Sequence, residues 1–257
     1  MACCQGENQV DAHQQVAQWL QAAERAVVFT GAGVSTDSGI PDYRSPNGIW
    51  AKMQPVLFDD FLASQEARHE YWRQKSVLHR DFGDSQPNLG HTLLAQWEAA
   101  GNLQAVITQN IDGLHQLAGS SRVIEVHGTA RQIACLDCDQ RYEAGPMNNQ
   151  FLETDKVPSC DQCGGMLKHA TISFGQSLQP EVLESAKKLA READLLLVLG
   201  STLLVEPAAS LPGLAQEQGA RVVIVNRDET PLDGTADQVF HESIGVTLEA
   251  INGYLQE

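Results

Sequence analysis

The sequence predicts an α/β fold, a doubly wound parallel sheet carrying a smaller zinc-binding module and a helical insertion. Three observations predict it. Continuous apolar runs, "AVVFT" (26–30), "LQAVIT" (103–108), "DLLLVLG" (194–200) and "RVVIVN" (221–226), read as strands covered on both faces. Helical patterns separate the last of them, so strand and helix alternate. Two C-x2-C pairs fall outside the strand–helix series.

In chain order, residues 10–24 put Ala12, Val16, Leu20 and Ala23 on one face of an amphipathic helix. The first strand, 26–30, follows. Residues 44–90 carry almost no strand signal, and pieces such as "EARHEYWRQKSVLHRD" read as helix, a helical insertion. Residues 128–175 hold the four cysteines and several turn residues. The later segments "EVLESAKKLAREA" (181–193) and "PAASLPGLAQEQG" (207–219) are helical. The division expected is a Rossmann-like domain, 10–127 and 176–257, with the 44–90 insertion inside it. A zinc-binding domain spans 128–175.

Composition narrows the function. The chain has 257 residues, 42% hydrophobic, enough for a packed core. No run approaches the roughly 20 apolar residues of a membrane helix. The N-terminal segment is polar, without a basic stretch followed by an apolar one, so no secretory signal is expected and the location expected is cytoplasmic. Seventeen basic residues against 33 acidic ones give a net charge of -16. That surface repels nucleic-acid phosphates and suits a basic peptide partner, although solubility alone accounts for it.

Cys3 and Cys4 sit in the polar leader and are read as incidental. Cys135, Cys138, Cys160 and Cys163 form C-x2-C, 21 intervening residues, C-x2-C. Four thiolates suit tetrahedral zinc, and they fill its coordination sphere, so the metal expected is structural. Disulfides or unrelated free thiols are the alternatives, disulfides being disfavoured without a secretory signal.

"VVFTGAGVSTDSGIPDYRS" (27–45) begins like a dinucleotide turn. Gly31 and Gly33 make G-x-G, but Thr36 stands where a third glycine belongs, and no acidic residue ends a following strand. Glycines there let a backbone approach phosphate, and a helix after them would offer its N–H groups to the anion. The alternative is an ordinary tight turn. Polar segments after other strands, "TQNIDGLH" (108–115), "VIEVHG" (123–128) and "GSTLLVEP" (200–207), describe a pocket at one sheet edge.

These motifs, with "SFG" (173–175) and both cysteine pairs, closely resemble the sirtuin family of NAD-dependent protein-lysine deacylases, from about Gln21 to beyond Asn226. The bacterial deacetylase-like and mitochondrial branches are the nearest. The resemblance implies that NAD is consumed: the nicotinamide–ribose bond breaks, acyl-lysine oxygen attacks the ribose carbon, and the acyl group ends on ADP-ribose. It implies that Gly31, Ala32, Gly33 and Ser35 line phosphates and ribose. Asp42, Tyr43 and Arg44 belong to a mobile cofactor loop, with Tyr43 in place of the commoner phenylalanine. Gln109 and Asn110 meet the ribose hydroxyls. Ile111 and Asp112 form the nicotinamide pocket, and Gly200, Ser201 and Asn226 hold the distal part of NAD.

His127 matches the general base and, with Asn110, is the expected catalytic pair. A histidine titrating near 6.5 can take a ribose hydroxyl proton at neutral pH. Ile172, Phe174 and Gly175 on one side and Val205 on the other match the acyl-lysine tunnel, the peptide lying between the domains as an added strand. His69, His79 and His241 read as packed or surface residues, and His91 and His115 as structural ones. Thr171, Ser173 and Gln176 depart from the apolar residues and glutamate of many relatives. The Y-x-x-R pair that binds acidic acyl groups is absent: Tyr71 is followed by Gln74, with Arg73 one position off. Neutral acyl groups, acetyl first, are therefore expected. The implied function is protein-lysine deacetylation, with ADP-ribosyl transfer to protein or noncatalytic NAD sensing as alternatives. A hydride-transferring dehydrogenase fits worse, because no separate substrate domain is visible.

Overall fold

A computed structural model describes residues 11–256. The leader with Cys3 and Cys4 lies outside them. Helix α1 (Ala12–Ala22) starts at Asp11, whose carboxylate accepts the His13 N–H, and buries Val16, Ala17 and Leu20. Strand β1 (Ala26–Thr30) follows, then helices α2 (Phe58–Ala63), α3 (Gln65–Phe82) and α4 (Leu89–Ala99). Next come β2 (Ala105–Thr108), α5 (Leu114–Leu117) and β3 (Val123–Glu125). The cysteine-bearing segment holds β4 (Gly128–Cys135), β5 (Arg141–Glu143), α6 (Ala144–Thr154) and β6 (Leu167–Thr171). The chain then returns through α7 (Pro180–Glu192), β7 (Leu195–Leu199), α8 (Leu211–Glu217), β8 (Arg221–Val225), β9 (Gln238–Phe240) and α9 (Ile244–Leu255).

Six strands form one sheet in the order β3-β2-β1-β7-β8-β9, every neighbouring pair parallel. Alternate residues of each central strand enter different cores. Val27, Phe29, Leu196 and Val198 join the core under α7 and α8, while Val28, Leu195 and Leu197 join the one under α1, α4 and α9. Two covered faces explain why the strands read as unbroken aliphatic runs. The order reverses at β1: β2 lies on one side and β7 on the other. A crevice therefore opens beyond Thr30 and Leu199, where open α/β sheets bind ligands.

The small sheet is antiparallel, in the order β5-β4-β6, and its register shifts between Gly128 and Ile133. Its core is shared. Phe61, Tyr71 and Trp72 from α2 and α3 pack with Ile133, Phe151, Cys160 and Leu167. The sequence grouped the helical insertion with the large sheet, and the packing groups α2 and α3 with the small one. The apolar face of α3 needs a partner, and a three-stranded sheet of this size has a bare face to offer. Among the described residues no helix is long and apolar enough to cross a membrane.

Candidate functional site

The loops leaving β1 and β7 meet at the crevice. The Gly31 N–H donates to the Leu199 carbonyl at 3.0 Å, and the Gly33 N–H to the Gly200 carbonyl at 2.9 Å. A Cβ on Gly33 would lie 2.7 Å from the Gly200 Cα, and Gly200 itself has φ +62°. The glycines thus let two backbones touch as well as leaving room for a ligand. The helix that follows Gly31, Ala32–Ser38, is a 3-10 helix.

Behind this cradle lies a part-buried polar network. The Ser35 hydroxyl donates to Asp112 Oδ2 at 2.8 Å and accepts from Asn110 Nδ2 at 3.0 Å. Asp112 Oδ1 takes the Leu114 N–H, while the Asp112 carbonyl takes Arg131 Nε at 2.7 Å. Gln109 Nε2 reaches across to Ser201 Oγ at 2.7 Å, tying the ends of β2 and β7 together. Gln109 also holds the histidine: His127 Nδ1 lies 3.1 Å from its carbonyl. A carbonyl only accepts, so Nδ1 carries the proton and Nε2 keeps a free lone pair. Burial pushes the His127 pKa below its ordinary value, and the Gln109 carbonyl opposes that in part.

His127 stands where the lobes join. Its carbonyl accepts the Ile172 N–H at 2.9 Å, and Gly128 after it has φ +71°, where an added Cβ would collide with the Ala170 carbonyl. Only glycine suits that turn into β4. On the opposite wall the 42–50 loop folds back on itself, Asp42 accepting the Ser45 N–H and Tyr43 the Trp50 N–H through its carbonyl. Trp50 packs at a tilt against both Tyr43 and Phe174, each ring centroid 5.4 Å away, with the Arg44 guanidinium over it at 4.6 Å. Burial and the Asp112 charge push the Tyr43 phenol up to about 12.

Together these walls enclose a cavity of about 760 Å³. It brings together Gly31, Ala32, Gly33, Gln109, Asn110, Ile111 and His127 from the sheet edge, and Asp42, Tyr43 and Arg44 from the loop. Gly200, Ser201, Val205 and Asn226 line it from the later strands, and Ile172, Phe174 and Gly175 from the small lobe. Ser35 and Asp112 are not on its surface. They form the layer behind Asn110. The sequence did not single out Lys75, Arg227, Asp228 or Glu242, which also line it. Arg227 and Asp228 were adjacent to a chosen residue. Lys75 sits one helical turn beyond Tyr71, a spacing ordinary on any helix.

The four cysteines converge, with all Sγ atoms within 4.8 Å of one another. The Sγ–Sγ distances are 3.5 Å for Cys135–Cys163, 3.7 Å for Cys138–Cys160 and 3.4 Å for Cys138–Cys163. Tetrahedral Zn–S bonds of about 2.3 Å require roughly 3.8 Å between sulfurs, whereas a disulfide requires about 2.05 Å. The donor set fits zinc, with no position left open for chemistry.

A parallel sheet with a ligand crevice at its switch point, closed by a cysteine-stapled lobe and a histidine at the hinge, defines a two-lobed nucleotide-binding protein. Residues 31–207 match the Sir2 family. The chain is 44% identical over 237 residues to the NAD-dependent protein deacetylase of Rhodopseudomonas palustris, covering 91% of this chain and 94% of that one. It is 46% identical over 231 residues to NAD-dependent protein deacetylase 1 of Bradyrhizobium diazoefficiens, covering 89% and 91%. A solved structure of Sir2 with p53 peptide and NAD+ superposes with TM-score 0.83 at 35% identity, over 93% of this chain and 96% of that one. Another, with deacetylated p53 peptide and 3′-O-acetyl ADP-ribose, gives 0.85 at 36%, over 93% and 97%. The chain belongs to the Sir2 family.

Proposed function

We propose that this chain is an NAD-dependent protein-lysine deacetylase, moving the acetyl group of acetyl-lysine to ADP-ribose with release of nicotinamide. The observation that carries this reading is His127: one nitrogen is tied to the Gln109 carbonyl, the other is free in a cavity lined by both lobes. The names of the relatives and the ligands of the solved Sir2 structures support it.

NAD is the co-substrate, supplying an activated ribose carbon once its bond to nicotinamide breaks. Gly31, Ala32 and Gly33 leave backbone room for its phosphates, with Ser35 behind them, and Gly200, Ser201 and Asn226 bound the far end. Gln109 and Asn110 orient its ribose. Ile111 lines the nicotinamide pocket, and Asp112 stands next to it, held as an acceptor by Ser35. Asp42, Tyr43 and Arg44 cover the sugar and exclude water once nicotinamide departs. His127 Nε2 takes a ribose hydroxyl proton. Ile172, Phe174, Gly175 and Val205 hold the acyl-lysine peptide, acetyl before acidic acyl groups. Zinc on Cys135, Cys138, Cys160 and Cys163 folds the 128–175 module and takes no part in the chemistry. The domain division follows the two sheets, with α2 and α3 counted in the small lobe, and the working location is cytoplasmic.

Mixing protein, NAD and an acetyl-lysine peptide tests the reading by mass spectrometry. Nicotinamide, deacetylated peptide and acetylated ADP-ribose should form in equal amounts, and His127→Ala should abolish this while keeping the fold. ADP-ribose label on protein without peptide turnover would point instead to ADP-ribosyl transfer.

A further inference from the structure

Two loops, one from each lobe, line the same cavity. The first, 200–207, follows β7 and contributes Val205 and Glu206, and the second, 172–178, follows β6 and contributes Phe174, Gly175 and Gln176. Both are braced. The Val205 carbonyl accepts the Ala209 N–H at 2.9 Å, and Ser201 Oγ accepts the Leu203 N–H at 3.3 Å. On the small lobe the Phe174 carbonyl accepts the Phe58 N–H at 2.9 Å, tying that loop to the start of α2. Gln176 is neutral, and its Oε1 is spent on the Ser173 N–H at 3.1 Å. Among the cavity-lining residues of these two loops, Glu206 alone carries a charge. Its side chain is exposed, whereas Val205 before it is half-buried, so Glu206 stands at the rim of the cavity. No hydrogen bond or ion pair occupies its carboxylate among the described residues. The cavity-lining cations Arg44 and Lys75 lie over the Trp50 and Tyr71 rings.

We propose that Glu206 is a specificity-determining residue, selecting acetyl-lysines that have a lysine or arginine within two positions of them in the substrate chain. An extended peptide rises about 3.4 Å per residue. With acetyl-lysine held beside Val205, neighbours within two positions start within about 7 Å of it, in reach of the next carboxylate along the loop. A residue six positions away starts about 20 Å off, beyond both a side chain's reach and the Debye length of about 10 Å at 0.1 M salt. That distance separates a local charge from the field of the whole molecule. A net charge of -16 draws any basic peptide, wherever its cations stand. A carboxylate on a braced loop favours only the positions it can touch. Its contribution is that of an exposed ion pair, so it grades substrates and does not gate them.

This inference rests on the deacetylase reading and deepens it. It is tested with acetyl-lysine peptides carrying one arginine, alanine or glutamate, placed either within two positions of the acetyl-lysine or six away. Wild-type protein at low salt should prefer the best near arginine over alanine by about threefold in kcat/KM, and should disfavour glutamate there by a similar factor. The preference should shrink as salt is raised. Glu206→Gln should bring the near-position ratios to about one while leaving the alanine peptide within about twofold of the parent. Glu206→Lys should reverse them, favouring glutamate. Both substitutions fall on an exposed side chain, and circular dichroism checks that the fold is kept. A preference that survives in Glu206→Gln, fails to reverse in Glu206→Lys, or is equally large for an arginine six positions away would overturn the assignment and leave the net charge as its cause. Fluorescence anisotropy of labelled peptides reads the same ratios as Kd, without turnover. A wild-type protein that binds these peptides in the expected order but deacetylates none counts against the deacetylase reading, while the anisotropy still reports on Glu206.

Discussion

Lys168 offers a measurable consequence of the small lobe's chemistry. It sits on β6, 1% exposed, with its ammonium donating to the Thr171 and His169 carbonyls and lying 5.3 Å from the Tyr71 ring centroid. No carboxylate stands among the groups that set its charge. Burial, helped by the Lys75 charge, pushes its pKa from 10.5 down to about 7. At about 1.4 kcal/mol per tenfold, that change costs the folded state roughly 4 kcal/mol near neutral pH. The sign follows from proton counting. Below about pH 7 folded and unfolded chains both carry the proton, and the full penalty stands. Between about 7 and 10.5 the unfolded chain binds the proton that the folded chain has released, so stability rises with pH by about 1.4 kcal/mol per unit. Lys168→Met keeps the volume and removes the charge, while leaving two carbonyls short of a donor at a cost of about 1–2 kcal/mol. The variant should therefore be about 2–3 kcal/mol more stable than wild type near pH 7.5, and the gap should fall to about zero near pH 9.5. Urea unfolding with zinc in excess, read on both proteins at each pH so that other titrations cancel, measures it. A variant that is less stable by a gap independent of pH refutes the reasoning, because the ammonium would then be compensated in the fold.

Three further outcomes follow from the site. Gly33→Ala should abolish NAD turnover and lower stability by about 1–3 kcal/mol, since the new Cβ meets the Gly200 backbone at 2.7 Å; chemical unfolding and steady-state kinetics check it. Burial holds the His127 pKa below 6.5, so its unprotonated, active form prevails from there upward. A plot of kcat/KM against pH should thus fall on its acid side with an inflection below 6.5, and an inflection above that value would contradict the assignment. Zinc chelation should unfold the small lobe, whose core contains Cys135 and Cys160, and with it loosen α2 and α3. Far-UV circular dichroism should lose helix on chelation and regain it when zinc is added back.

Particular residues show what the sequence could carry. Val27–Thr30 and Leu195–Leu199 were legible because a strand covered on both faces has only one solution, an unbroken aliphatic run. The cysteine site was legible because spacing alone brings four thiolates to one point. Gly31 and Gly33 were legible as a tight glycine turn after a strand, but the sequence could not show that they press on Gly200. That contact joins residues some 170 positions apart, and no local pattern encodes it. The side to which α3 belongs was hidden for the same reason. Its buried Tyr71, Trp72 and Ser76 mark a face without saying which sheet covers it.

A local reading of His91 stops at its cap, because a histidine at the third position of a helix caps it like a glutamine. What that reading lacked was the other ring nitrogen. Imidazole has two nitrogens with opposite roles, so a bond fixed on one side dictates what the far side offers. His127 obeys the same rule in reverse: Gln109 takes its Nδ1 proton and leaves Nε2 to accept, whereas Asn88 fills the His91 Nδ1 lone pair and leaves Nε2 to donate. Two histidines of one protein are thus set as an acceptor facing the cavity and a donor facing the layer behind it. The difference lies in whether a carbonyl or a backbone N–H stands beside Nδ1. The sequence supplies the ring, and the fold decides what chemistry each nitrogen has left.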